Sequence, residues 1–114
     1  MISKANRLSK QKDFEKIFRQ GKGYRVNGLT IKSLARKQSF SRFGLVIGNK
    51  VAKKAVTRNR LRRQIRAILR AHLTDIKPGL DVVLIAKPSL LGLSYQELEE
   101  TVIDLFEKAE LYAR

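Results

Sequence analysis

The densest chemistry in this 114-residue sequence is cationic. From Lys50 through His72 stand nine Lys and Arg residues, Lys50 included, and no Asp or Glu. Arg58, Arg62, Arg63, Arg66 and Arg70 carry planar guanidinium forks, which can grip a phosphate through two parallel hydrogen bonds and stack on bases. Asn59 adds a neutral donor and acceptor that can reach a base edge or a 2′-hydroxyl. Lys50, Lys53 and Lys54 lead directly onto this run, where each phosphate contact adds affinity that salt weakens. The plainer account of the three lysines is a solvated loop. It does not extend to the arginines, because ordinary exposed helix faces interleave both signs. Like charges at helical spacing cost a free helix a few tenths of a kcal/mol per pair, roughly. A phosphate backbone laid over them would offset that cost.

Catalytic chemistry is much less evident. Hydrolysing a phosphodiester takes a nucleophile activator and usually metal-bound carboxylates. The one histidine, His72, falls on an apolar stripe and reads as a core or boundary residue. Asp13 and Glu15 are two apart and so diverge on a helix. With no cysteine, disulfides and thiolate metal sites are excluded. The expectation is a chain with no catalytic residue and no metal site of its own.

Net charge agrees. Twenty-five Lys and Arg oppose ten Asp and Glu, giving +15, far more than solubility asks of a small domain. The partner class is a polyanion: nucleic acid, or an anionic membrane surface. Charge is also uneven. Residues 94–114 hold six acids against two bases, while the remaining 93 hold 23 bases against four acids. The acidic end should therefore sit away from the polyanion. No apolar run approaches the roughly 20 residues of a membrane span, and residues 1–16 lack the apolar centre of a signal peptide. A cytoplasmic protein of one domain, residues 1–114, is expected.

The elements that must position the cations follow from periodicity. Ser9–Gln20 reads as a helix capped by Ser9 and ended by Gly21, with Phe14, Ile17 and Phe18 at helical spacing. Gly21–Gly23 and Lys77–Gly79 read as turns. Val26–Leu34, Phe43–Ile47 and Asp81–Ala86 read as strands, the last buried on both faces. Ala55–Leu73 is a long helix; Leu61, Ile65, Ile68, Leu69 and His72 form its core stripe, with the arginine flank beside it and Arg60 pointing elsewhere. Ser94 and Glu97 make a capping box that opens a last helix, with Tyr95, Leu98, Val102, Leu105 and Phe106 as its buried stripe. The order α-β-β-α-β-α predicts an α+β two-layer sandwich, a small mixed sheet with packed helices.

Arg58-Asn59-Arg60-Leu61-Arg62-Arg63-Gln64-Ile65-Arg66 resembles the signature of the bacterial ribonuclease P protein family, an Arg-Asn-Arg helix followed by a basic pair and a further Arg. Asp13-Phe14 with Phe18, Arg42-Phe43-Gly44-Leu45 followed by Lys50, and Asp81-Val82-Val83 are similar to further family segments, in order, over nearly the whole chain. The resemblance implies a left-handed βαβ crossover. It implies the small subunit of a ribonucleoprotein that removes the 5′ leader of precursor tRNA, with catalysis by the RNA subunit and Mg²⁺ held mainly by RNA. Arg58, Asn59, Arg62, Arg63 and Arg66 would then contact the catalytic RNA, and Phe14 and Phe18 would line a cleft for the leader. No membrane or obligate protein partner is implied.

Two positions depart from the family pattern. Gly48-Asn49-Lys50 stands where members usually carry two adjacent lysines. Lys32 stands where some have a sheet-face aromatic, so it would serve the leader's phosphates and not its bases. Taken from their helix alone, Phe14 and Phe18 are more often core than cleft. The rival function is an RNA-binding module without enzymatic partners, such as a ribosomal protein. A sequence-specific DNA binder is weaker still, since no second helix is placed for a helix-turn-helix.

Overall fold

The computed structural model of the chain describes residues 7–37 and 39–113. Three helices, α1 (Gln11–Gln20), α2 (Ala55–His72) and α3 (Tyr95–Lys108), combine with strands β1 (Lys22–Val26), β2 (Leu29–Ala35), β3 (Arg42–Val46) and β4 (Leu80–Ala86). The sheet order is β1-β2-β4-β3. β1–β2 and β2–β4 are antiparallel, and β3 and β4 run parallel across the α2 connection. The expected α+β sandwich of a small mixed sheet and packed helices is present.

β4 is central, paired on its two edges with β2 and β3, and helices cover both of its faces. Val82 and Leu84 point into a large core shared with Leu61, Ile65, Ile68 and Leu69 of α2 and with Leu98, Val102, Leu105 and Phe106 of α3. Val83 points the other way, into a smaller cluster with Leu8 and Ile17 under α1. The unbroken apolar run of this strand is thus explained by helices on both sides.

Three expectations need correction. Val26–Leu34 is not one strand, and Gly21–Gly23 is not a turn. A hairpin turns at Asn27-Gly28, with Val26 paired to Leu29 and Asn27 in the left-handed region at φ 53. Asn-Gly between apolar neighbours is a strong hairpin signal, and it was in the sequence to be read. Gly21 is needed for close approach: a Cβ there would lie 2.6 Å from the Ile17 carbonyl oxygen. Second, Ser9 does not cap α1; Lys10 occupies that position with no side-chain hydrogen bond. The preceding chain is held extended beside β3, where the Leu8 N–H donates to the Phe43 carbonyl at 2.8 Å. Third, Tyr95 is 46% exposed and not part of the α3 stripe. The Ser94–Glu97 capping box is formed in both directions.

Candidate nucleic-acid interface

α2 is anchored through Leu61, Ile65, Ile68 and Leu69, all at most 4% exposed. That burial fixes the helix rotation and so turns Arg63 and Arg70 to solvent, with Arg62 and Arg66 half-buried along the flank. None of the six α2 arginines is ion-paired among the described residues. Among the described residues no acid of α3 is ion-paired with the strip; Glu99 instead lies 3.5 Å from His72, which sits at the boundary. The first turn of α2 contains no acid and no side-chain cap, so the positive end of the helix dipole adds to the same field.

The arginines are not equivalent. Arg62 donates from Nη1 to Asn59 Oδ1 at 2.6 Å, which leaves the Asn59 amide N–H groups to donate outward. Arg58 donates to the carbonyls of Ala52 and Lys53 at 2.7 and 2.9 Å. It therefore ties the lysine loop onto the start of α2, and with Val51 buried the loop presents Lys50, Lys53 and Lys54 to solvent. Burial and the charges of Arg7 and Arg62 push the Arg66 guanidinium below its ordinary pKa.

On the far flank of β3, an open groove of about 500 Å³ is lined by Phe14, Phe18, Leu45–Gly48, Ser9, Gln11 and Arg62. Phe18 is 40% exposed. Phe14 is half-buried and rests on the inner cluster, with its ring 6.4 Å from that of Phe18. It can lie there because residue 44 is glycine: a Cβ at Gly44 would stand 2.7 Å from two Phe14 ring carbons. Arg62 joins the groove to the arginine strip. Lys32 does not line the groove. Its ammonium donates to the Phe18 carbonyl at 3.0 Å and sits 5.8 Å from the Phe18 ring centroid, closing the C-terminal end of α1.

Behind the groove, buried Asp81 receives Arg42 through two hydrogen bonds of 2.8 and 2.9 Å, with Arg36 Nε 3.1 Å away. The hydrogen bonds to Asp81 raise the Arg42 pKa despite partial burial. Arg42 also reaches Asp13 of α1 at 3.2 Å. This cluster holds α1 against the sheet, and nothing in the periodicity announces it. Among the described residues, no three His, Asp or Glu side chains gather to hold a metal, and no helix is long and apolar enough to cross a membrane.

The family model described as Ribonuclease P matches residues 2–110. The chain belongs to the ribonuclease P protein family. The ribonuclease P protein component of Synechocystis sp. is 40% identical over 95% of this chain and 88% of its own length. The RNase P protein of Thermotoga maritima, a solved structure, is 28% identical with a TM-score of 0.81, covering 90% of this chain and 96% of that one. The RNase P protein of Staphylococcus aureus, at 22% identity and TM-score 0.89 over 96% and 100% of the two chains, shares the fold. In this ribonuclease P family chain, the strip and the groove share Arg62 as a common wall.

Proposed function

We propose that the chain is the protein subunit of ribonuclease P, and that it binds the catalytic RNA along the α2 flank while the groove beside α1 holds the single-stranded 5′ leader of precursor tRNA. The supporting observation is that guanidiniums without an acid partner among the described residues adjoin a half-open aromatic groove and meet it at Arg62. Phosphate contacts along α2 supply salt-sensitive affinity. Phe18, and the exposed part of Phe14, offer ring faces on which unpaired bases stack for about 1–3 kcal/mol each. Arg58 acts as a positioning residue for the lysine loop. By neutralising phosphates of two RNAs at once, the protein raises substrate affinity and lowers the Mg²⁺ requirement.

Catalysis is assigned to the RNA subunit. On this reading no step is assigned to a protein side chain. The test is reconstitution. Adding the protein to the catalytic RNA at low Mg²⁺ should raise the rate of precursor tRNA cleavage, and the purified protein alone should cleave nothing. An unchanged rate would favour a general RNA-binding module. Phe18→Ala should weaken binding of precursor tRNA with a leader more than that of mature tRNA; equal loss would place Phe18 in a purely structural role.

A further inference from the structure

Beyond the arginines of α2, a cation from the N-terminal segment reaches the same flank. Residues 7 and 8 run parallel to β3, with Arg7 bridged to Phe43 and the Leu8 N–H donating to the Phe43 carbonyl. Side chains alternate along an extended segment. Leu8 is buried on the α1 side of the sheet, so Arg7 is directed to the opposite side, where Phe43 packs toward α2. There Arg7 and Arg66 line one small cavity of about 80 Å³, walled by Leu8, Phe43, Leu45 and Leu69. That space is on the scale of a few waters and too small for a nucleobase.

Resting on the proposed function, we infer that Arg7 and Arg66 form a two-sided clamp for one RNA backbone phosphate, with Arg62 at its margin. Folding sets two guanidiniums on one cavity, and Arg66 has no acid partner among the described residues. The charges of Arg7 and Arg62 both weigh against that of Arg66, a cost that a bound anion reverses. With Arg7 and Arg66 on the same small cavity, their fields converge on whatever anion enters. Two guanidiniums can bind the oxygens of one phosphate from different sides, which a single surface cation cannot do. Because the cavity lies where the N-terminal segment meets the edge strand, the clamp fastens that segment when RNA is bound.

The clamp is tested with the full chain carrying Arg7→Ala, Arg66→Ala, or both, by titration against the catalytic RNA at several salt concentrations. Each single substitution should weaken binding about tenfold, the worth of one charge-assisted contact. The double variant should be little weaker than the poorer single one, because both lose the same phosphate. Arg7→Lys keeps the charge without the fork and should show a partial loss, which carries the test if Arg7→Ala is poorly folded. Losses that appear only with leader-bearing precursor tRNA on the assembled holoenzyme, still non-additive, would support the clamp and assign its phosphate to the substrate. Wild-type binding by Arg7→Ala in both arms, or losses that multiply in the double variant, would overturn it. Arg62→Ala separates the two levels: if it weakens binding while Arg7→Ala does not, the clamp falls and the proposed function stands. If the wild-type chain fails to bind the catalytic RNA, both fall.

Discussion

At the scale of single residues, the groove depends on what is missing as much as on what is there. Gly44 leaves room for the Phe14 ring, and a methyl group would meet two ring carbons at 2.7 Å. Gly44→Ala should push Phe14 outward and cost about 1–3 kcal/mol by overpacking, read as a lower denaturation midpoint. The displaced ring should also narrow the preference for leader-bearing over mature tRNA. Asp81 is the opposite case, a buried carboxylate facing two guanidiniums, with Arg36 and Arg42 side chains only 16% and 21% exposed. Asp81→Ala leaves Arg36 without an acid partner among the described residues and Arg42 with Asp13 alone, and should cost about 3 kcal/mol. Urea unfolding is the measurement; a loss within a few tenths of wild type would mean that water already solvates this cluster.

At the scale of elements, each helix end and flank has its own work. The α2 flank carries the RNA contacts, so Arg62→Ala with Arg66→Ala should reduce the salt dependence of catalytic-RNA binding by about two phosphate contacts. An unchanged slope would move those contacts elsewhere. At the start of α3, hydrogen bonds with the Ser94 N–H and hydroxyl hold the Glu97 carboxyl below its ordinary pKa. A lowered folded-state value means that the stabilisation is complete above the ordinary glutamate pKa and fades as pH falls through the lower folded one. Glu97→Gln keeps an acceptor for the capping box but cannot titrate. Thermal unfolding should therefore show wild type losing its advantage over Glu97→Gln on acidification below the ordinary glutamate range, with no such change at neutral pH.

At the scale of the whole molecule, the balance of +15 makes the fold repel itself. Added salt should raise the thermal midpoint of the free chain as the repulsion is screened, while it lowers affinity for RNA. These opposite responses to one variable distinguish a chain whose cations await a polyanion from one whose cations are internally paired; a midpoint that falls with salt would indicate the latter. The charge is also organised in space. The flank of α2, the lysine loop and the groove wall at Arg62 form one continuous basic surface, and among the described residues no ion pair joins the acids of α3 to the arginines of α2.

Periodicity and residue type determined the helices, the central strand and the arginine flank on their own. A 3.6-residue apolar stripe can be buried only one way, and burying Leu61, Ile65 and Ile68 turns Arg63 and Arg70 to solvent and sets Arg62 and Arg66 along the flank. The Asn27-Gly28 hairpin was also written locally, although the loose alternation around it reads as one strand. What only the tertiary structure decided depends on partners distant in the chain. Arg58 turns inward because two loop carbonyls lie within reach, and Lys32 turns to the end of α1 because Phe18 ends there. Phe14 settles on Gly44, 30 residues away in the sequence. Arg7 reaches Arg66 because an extended segment pairs with the edge strand. Local patterns encode which face is buried; which polar groups meet is set by the packing of elements, and no single window of sequence contains that.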